Sequence, residues 1–108
     1  MKSMRLLALA ACFVIPGLPA IANAQAPLAD LLAKNGCVAC HAMDRKLIGP
    51  AVKEIGMKYR NDREAPAKLA AKIKTGGSGV WGSMPMPPQT RLKEGDLQAI
   101  VKQILELE

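Results

Sequence analysis

In the last part of the chain, Leu97, Ile100, Val101, Ile104 and Leu105 fall at i, i+3, i+4, i+7 and i+8. That spacing lines one face of an α-helix and predicts a helix over about Glu94–Leu107. Glu94 and Asp96 lie in its first turn, where the helix dipole favours acid. Leu69, Ala70 and Ile73 predict a helix over Ala65–Thr75, with Pro66 suited to its first turn and Gly76-Gly77 to its stop. Lys68, Lys72 and Lys74 in it read as a solvated face. Val52, Ile55 and Tyr59 predict a short helix over 52–59, and Leu28, Leu31 and Leu32 another from Pro27 to about Asn35. Asn61 to Glu64 is a polar connection. No strand pattern, repeat or low-complexity tract intervenes, so the expected fold class is all-α, about four short helices.

The first residues have a different pattern. Lys2 and Arg5 precede an apolar run from Leu6 to Ile15, which Pro16 and Gly17 break, and Ala22-Asn23-Ala24 fits a small-x-small cleavage site. Residues 1–24 therefore read as a secretory signal peptide, and the run is too short to span a bilayer. A rival is lipoprotein processing at Leu9-Ala10-Ala11-Cys12. It would leave a shorter apolar run, Leu6–Ala11, and expose Phe13-Val14-Ile15 at the new start. Cleavage after Ala24 is preferred, giving a single domain over 25–108.

That domain has 84 residues with 13 basic and 9 acidic side chains, a formal +4. Its only cysteines are Cys37 and Cys40, and its only aromatics Tyr59 and Trp81. So short a chain buries too little surface to be comfortably stable without a staple or a bound group.

Gly36-Cys37-Val38-Ala39-Cys40-His41 supplies the chemistry. Cys-x-x-Cys-His is the attachment sequence for c-type haem. Two thiols a helical turn apart can form thioethers along one porphyrin edge, and the adjacent imidazole can reach the iron. Three other readings stand beside it. A zinc site lacks the ligands for a tetrahedral set. A thioredoxin-like pair lacks a surrounding βαβ pattern. A buried structural pair leaves the histidine unexplained. Haem is preferred, and Ile48-Gly49-Pro50 reads as a turn able to offer a backbone carbonyl to a ligating histidine's other ring N–H.

Gly76–Thr90 is a long stretch with no predicted regular structure, and such a loop in a small domain is usually functional or disordered. Trp81 and Met84-Pro85-Met86-Pro87-Pro88 argue for order, because proline restricts its own backbone and that of the residue before it. Met84 and Met86 in an extended segment are expected to point to roughly opposite sides, leaving one able to reach iron. By itself the pair reads as core packing; beside a haem iron lacking a sixth ligand, one methionine reads as axial.

Taken together, these motifs resemble the small bacterial class I c-type cytochromes almost end to end. The resemblance is carried by Gly36-Cys37-Val38-Ala39-Cys40-His41-Ala42, Ile48-Gly49-Pro50-Ala51, Gly79-Val80-Trp81-Gly82 and Pro85-Met86-Pro87-Pro88. It implies one covalent haem c in a four-helix fold with a long Pro-rich methionine loop. It further implies Cys37 and Cys40 as thioether anchors, His41 as proximal ligand and the Pro50 carbonyl as its hydrogen-bond partner. Met86 takes the distal position and Met84 packs. Trp81 bonds a haem propionate, with Lys72 as a second propionate partner. Two positions depart from the family's pattern: Leu32 and Gln103 stand where an aromatic pair often packs the first helix on the last, and Gln89 stands where an Asn often bonds the ligand loop.

Two filled axial positions leave no open site for substrate, so the function expected is one-electron transport in the periplasm, not enzymatic. Partners are then redox proteins, a reductase and an oxidase with acidic docking surfaces, while nothing suggests nucleic acid or a stable membrane anchor, and the chain is expected to be a monomer. Two rivals from other classes are a subunit held permanently in a larger oxidoreductase, and a haem enzyme or gas sensor with an open distal site. A large exposed apolar patch would favour the subunit; a distal His or Arg would favour the sensor, and the chain has no second His.

Overall fold

The computed structural model describes residues 12–19 and 25–108. Residues 12–19 are exposed and without regular secondary structure. The charged start of the expected signal, Leu9-Ala10-Ala11 and Ala22-Asn23-Ala24 lie outside the described residues.

Four helices follow: α1 (Leu28–Lys34), α2 (Val52–Tyr59), α3 (Ala65–Thr75) and α4 (Glu94–Leu105). Their order and type are those of the periodic segments. α4 stops two residues short of the expected end. There the ladder tightens, the Leu107 amide donating to the Ile104 carbonyl three residues back at 3.3 Å. α4 is the element on which α1, α2 and α3 all pack. Its apolar stripe, Leu97, Ile100, Val101 and Ile104, is buried, and meets Leu28, Leu31 and Leu32 of α1, Val52 of α2 and Leu69 of α3. No helix among the described residues is long and apolar enough to cross a membrane.

The stretch after α3 corrects one expectation. It is not irregular throughout: β1 (Gly77–Gly79) and β2 (Gly82–Met86) pair antiparallel, Gly77 opposite Met86 and Gly79 opposite Gly82. Glycines and Pro85 hide the alternation that marks a strand in sequence. The ribbon is a local feature on a helical fold.

The two departures have structural answers. Leu32 is buried in the core, and Gln103 uses its Nε2 to donate to the Ala26 carbonyl at 2.8 Å, tying the segment before α1 to α4. A second tie joins these helices at their other ends. Lys34 Nζ and Asn35 Nδ2 both reach Asp96 Oδ2, at 2.9 and 3.1 Å. The Lys34 ammonium, and after it the Asn35 amide, hold the Asp96 carboxyl below the usual aspartate range.

The sign follows from linkage. A carboxyl whose folded pKa is depressed contributes stability that is complete above its unfolded pKa and is lost as pH falls through the folded value. Thermal stability should therefore decline on the acid side of the ordinary aspartate range, and Asp96→Asn should make that decline shallower. An identical acid limb in the variant would show that this tie carries no stability. Asp62, facing Lys68, and Glu94, facing Lys74, are also depressed, so part of the limb should persist.

Candidate haem site

The cysteines and histidine are placed by the break after α1. Gly36 ends the helix with φ 74°, and its amide donates to the Ala33 carbonyl at 3.2 Å. Cys37–Ala39 is then a single 3₁₀ turn, and the His41 amide bonds the Cys37 carbonyl at 3.0 Å. This tight turn sets Cys37, Cys40 and His41 along one cleft. Burial pushes the free Cys37 thiol above its ordinary pKa; a backbone hydrogen bond opposes that, and the neighbouring Cys40 adds to it.

The loop behind His41 is held by backbone. The Gly49 amide donates to the Cys40 carbonyl at 2.8 Å. α2 has no side-chain cap, and its first amides, of Val52 and Lys53, donate instead to the carbonyls of Ala42 and Met43 at 2.9 and 3.0 Å. A helix start needs such acceptors, so the satisfaction of α2 also fixes the residues after His41. His41 Nδ1 lies 2.8 Å from the Pro50 carbonyl oxygen. A carbonyl can only accept, so Nδ1 carries the proton and donates; in the neutral ring that leaves the lone pair on Nε2. Gly49 backs the ring: a Cβ there would lie within 3.0 Å of three imidazole atoms, Cε1, Nδ1 and Nε2.

The cleft, about 350 Å³, is closed by residues from every helix and by the ribbon. Leu32, Val52, Leu69, Ile100 and Ile104 line it while also forming the core. Trp81, at the ribbon's turn, lines it and is 40% exposed, with Lys58 Nζ 5.7 Å from its ring centroid. Lys72 lines it as well and is half-buried, so it leaves the solvated face on which Lys68 and Lys74 make ion pairs.

Met84 and Met86 both line this cleft, which corrects the expectation that they diverge. Residues two apart on a strand share a face. Depth separates them instead: Met84 is 66% exposed and Met86 is half-buried. Gln89 follows the ribbon and bonds the loop itself, its Nε2 donating to the Pro87 carbonyl at 2.9 Å. Among the described residues no buried side-chain nitrogen or oxygen lacks a partner.

The Cytochrome c family model matches residues 28–108. The chain belongs to the cytochrome c family. It is 48% identical over 79 residues to cytochrome c-552 of Nitrosomonas europaea, covering 73% of this chain and 77% of that one. It is 42% identical over 90 residues to cytochrome c-551 of Allochromatium vinosum, covering 82% and 96%. The crystal structure of the Nitrosomonas europaea cytochrome c552 superposes with a TM-score of 0.71, covering 74% of this chain and 99% of that one.

This member is a small class I c-type cytochrome with one covalent haem, and Cys37 and Cys40 have the attachment spacing. The residues fit that group. An apolar cleft, two thiols at its edge, an imidazole cradled where Gly49 has no Cβ and a free Nε2 lone pair form a donor set suited to a porphyrin iron. Sequence reasoning read Gly49 as a turn former only, and did not single out Lys58. The Ile48-Gly49-Pro50 turn was a visible signal for the first; the second is an exposed lysine like others until Trp81 is placed beside it.

Proposed function

We propose that the chain is a periplasmic one-electron carrier, with residues 1–24 removed on export. The observation that carries this is the meeting, in one apolar cleft, of the His41 imidazole, held through Nδ1, and the half-buried Met86. Bound haem supplies a one-electron iron couple. Cys37 and Cys40 would hold it through thioethers. His41 would offer Nε2 to the iron, its ring oriented by the hydrogen bond that Nδ1 donates to the Pro50 carbonyl at 2.8 Å. Met86 would offer a neutral sulfur as the second ligand, and an uncharged ligand favours the reduced state relative to a thiolate and raises the potential. Trp81 and Lys72, both at the cleft, serve the propionates through the indole N–H and the ammonium. The apolar lining of the cleft would disfavour the extra positive charge of the oxidised state.

Were His41 and Met86 both to ligate the iron, no site would remain there for a substrate. The chain then serves redox protein partners, and the net +4 of 25–108 supports steering toward acidic docking surfaces on a reductase and an oxidase.

Two measurements test this together. Periplasmic protein should have the mass of residues 25–108 plus one haem that survives acid-acetone extraction. Its oxidised form should show the sulfur-to-iron charge-transfer band at the red end of the spectrum, and its reduced form should bind carbon monoxide poorly. A haem-free mass removes the attachment claim, and an acylated Cys12 removes the free periplasmic carrier. A wild type that lacks the band and takes up carbon monoxide readily removes the closed-site carrier reading.

A further inference from the structure

The C-terminus of α3 and the segment Met86–Gln89 are in direct backbone contact, and one residue makes that contact possible. Gly76 is buried, with φ 68° and ψ −155°, a region open essentially to glycine alone. A Cβ at this position would overlap the Met86 carbonyl oxygen and lie 2.9 Å from both the Pro87 carbonyl carbon and the Pro88 nitrogen. All three are backbone atoms, and two belong to the proline-restricted segment, so none can swing aside as a flexible side chain would.

Two further ties bracket the same point. Gly77 is the ribbon partner of Met86. On the far side, the Gln89 amide donates to the Ile73 carbonyl at 3.0 Å, satisfying an otherwise open carbonyl in the last turn of α3. Met86 is thus clamped from both sides, and the α-carbon of Gly76 is the floor of the clamp.

A helix stop needs only one glycine, and the doublet Gly76-Gly77 provides two. Gly79 and Gly82 also have positive φ, 113° at each, but a Cβ on either would meet nothing within 4 Å. Gly76 alone of these four would press its Cβ on the ligand loop; at Gly77 the nearest atom is the flexible Lys72 Nζ, at 3.3 Å.

We propose that Gly76 is a positioning residue for the distal ligand: by lacking a Cβ it lets α3 seat the Met86–Pro88 backbone at the depth from which the Met86 sulfur reaches the iron. This rests on the reading of Met86 as that ligand. Any side chain at 76 lifts the loop off α3 and moves the sulfur outward, while Cys37, Cys40 and His41, which are held by a different part of the chain, are undisturbed.

The test compares Gly76→Ala with Gly79→Ala and with wild type, each isolated as holoprotein. Gly76→Ala should lose or strongly weaken the sulfur-to-iron band, lower the potential and gain carbon monoxide binding. It should keep covalent haem and the wild-type helix content by circular dichroism. Gly79→Ala places a Cβ at positive φ without a neighbour and should keep the band and the potential. Three outcomes overturn the proposal. One is a Gly76→Ala protein with wild-type band and potential. Another is equal loss in Gly79→Ala, which would trace the effect to backbone strain in the ribbon. The third is loss of helix content along with the band, or no holoprotein at all, which would place Gly76 in the fold and not in the seat. A wild type without the band would instead remove the reading of Met86 as ligand, a result separable from all three.

Discussion

Met86→Ala is expected to change the spectrum, the potential and the ligand chemistry at once, whereas Met84→Ala is expected to change stability alone. Both methionines precede a proline and both line the cleft, so truncating either disturbs similar backbone. Their burial differs. Met86 is the half-buried one, paired with Gly77 and lying over Gly76, while Met84 is 66% exposed. Removing the Met86 thioether should open the sixth position to water, abolish the sulfur-to-iron band, lower the potential markedly and admit carbon monoxide to the ferrous form. A fully buried methionine costs about 2 to 5 kcal/mol on truncation, and the exposure of Met84 puts it well below that range. Optical titration and carbon monoxide binding on the two variants decide the matter. If Met84→Ala loses the band and Met86→Ala keeps it, the assignment is reversed.

The second large effect concerns folding. Cys37→Ala with Cys40→Ala, isolated without haem, is expected to be largely unfolded. Leu32, Val52, Leu69, Ile100 and Ile104 belong both to the core and to the cleft wall. An empty cleft therefore removes contacts from the only hydrophobic cluster among the described residues. It holds no buried aromatic, since Tyr59 only packs against its edge and Trp81 is 40% exposed. Ordering 84 residues costs conformational entropy of the same size as all the burial such a chain can supply. Circular dichroism of the double variant should show little helix and no cooperative melt. A cooperative thermal transition would mean that α1 to α4 make a sufficient core by themselves.

The helices were legible because each carries its own evidence. Leu97, Ile100, Val101 and Ile104 repeat with the helical period whatever they pack against, and Pro66 and Gly76 mark the ends of α3 from within. The haem motif was legible for the same reason, its chemistry being written in adjacent residues. What could not be read depends on distant partners. The ribbon of Gly77–Gly79 with Gly82–Met86 has no alternating signature. The shared face of Met84 and Met86 needed no partner: residues two apart on an extended segment already lie on one side, so the expected divergence misapplied the strand period. Gly76 and Gly49 matter for atoms that they lack, and only the placement of the Met86 carbonyl and the His41 ring reveals the need.

Because α1, α2 and α3 each pack on α4, the core closes only when the last helix is in place. Leu28 to Leu32 must wait for a partner some seventy residues further along before they are covered. Contacts of such long sequence separation form late and leave partial chains open. Any nascent chain that stops short of Glu94 therefore presents Cys37 and Cys40 on an unclosed segment. The same topology makes the finished protein depend on its last helix: a chain cut before Glu94 leaves the first three helices without the surface on which they pack.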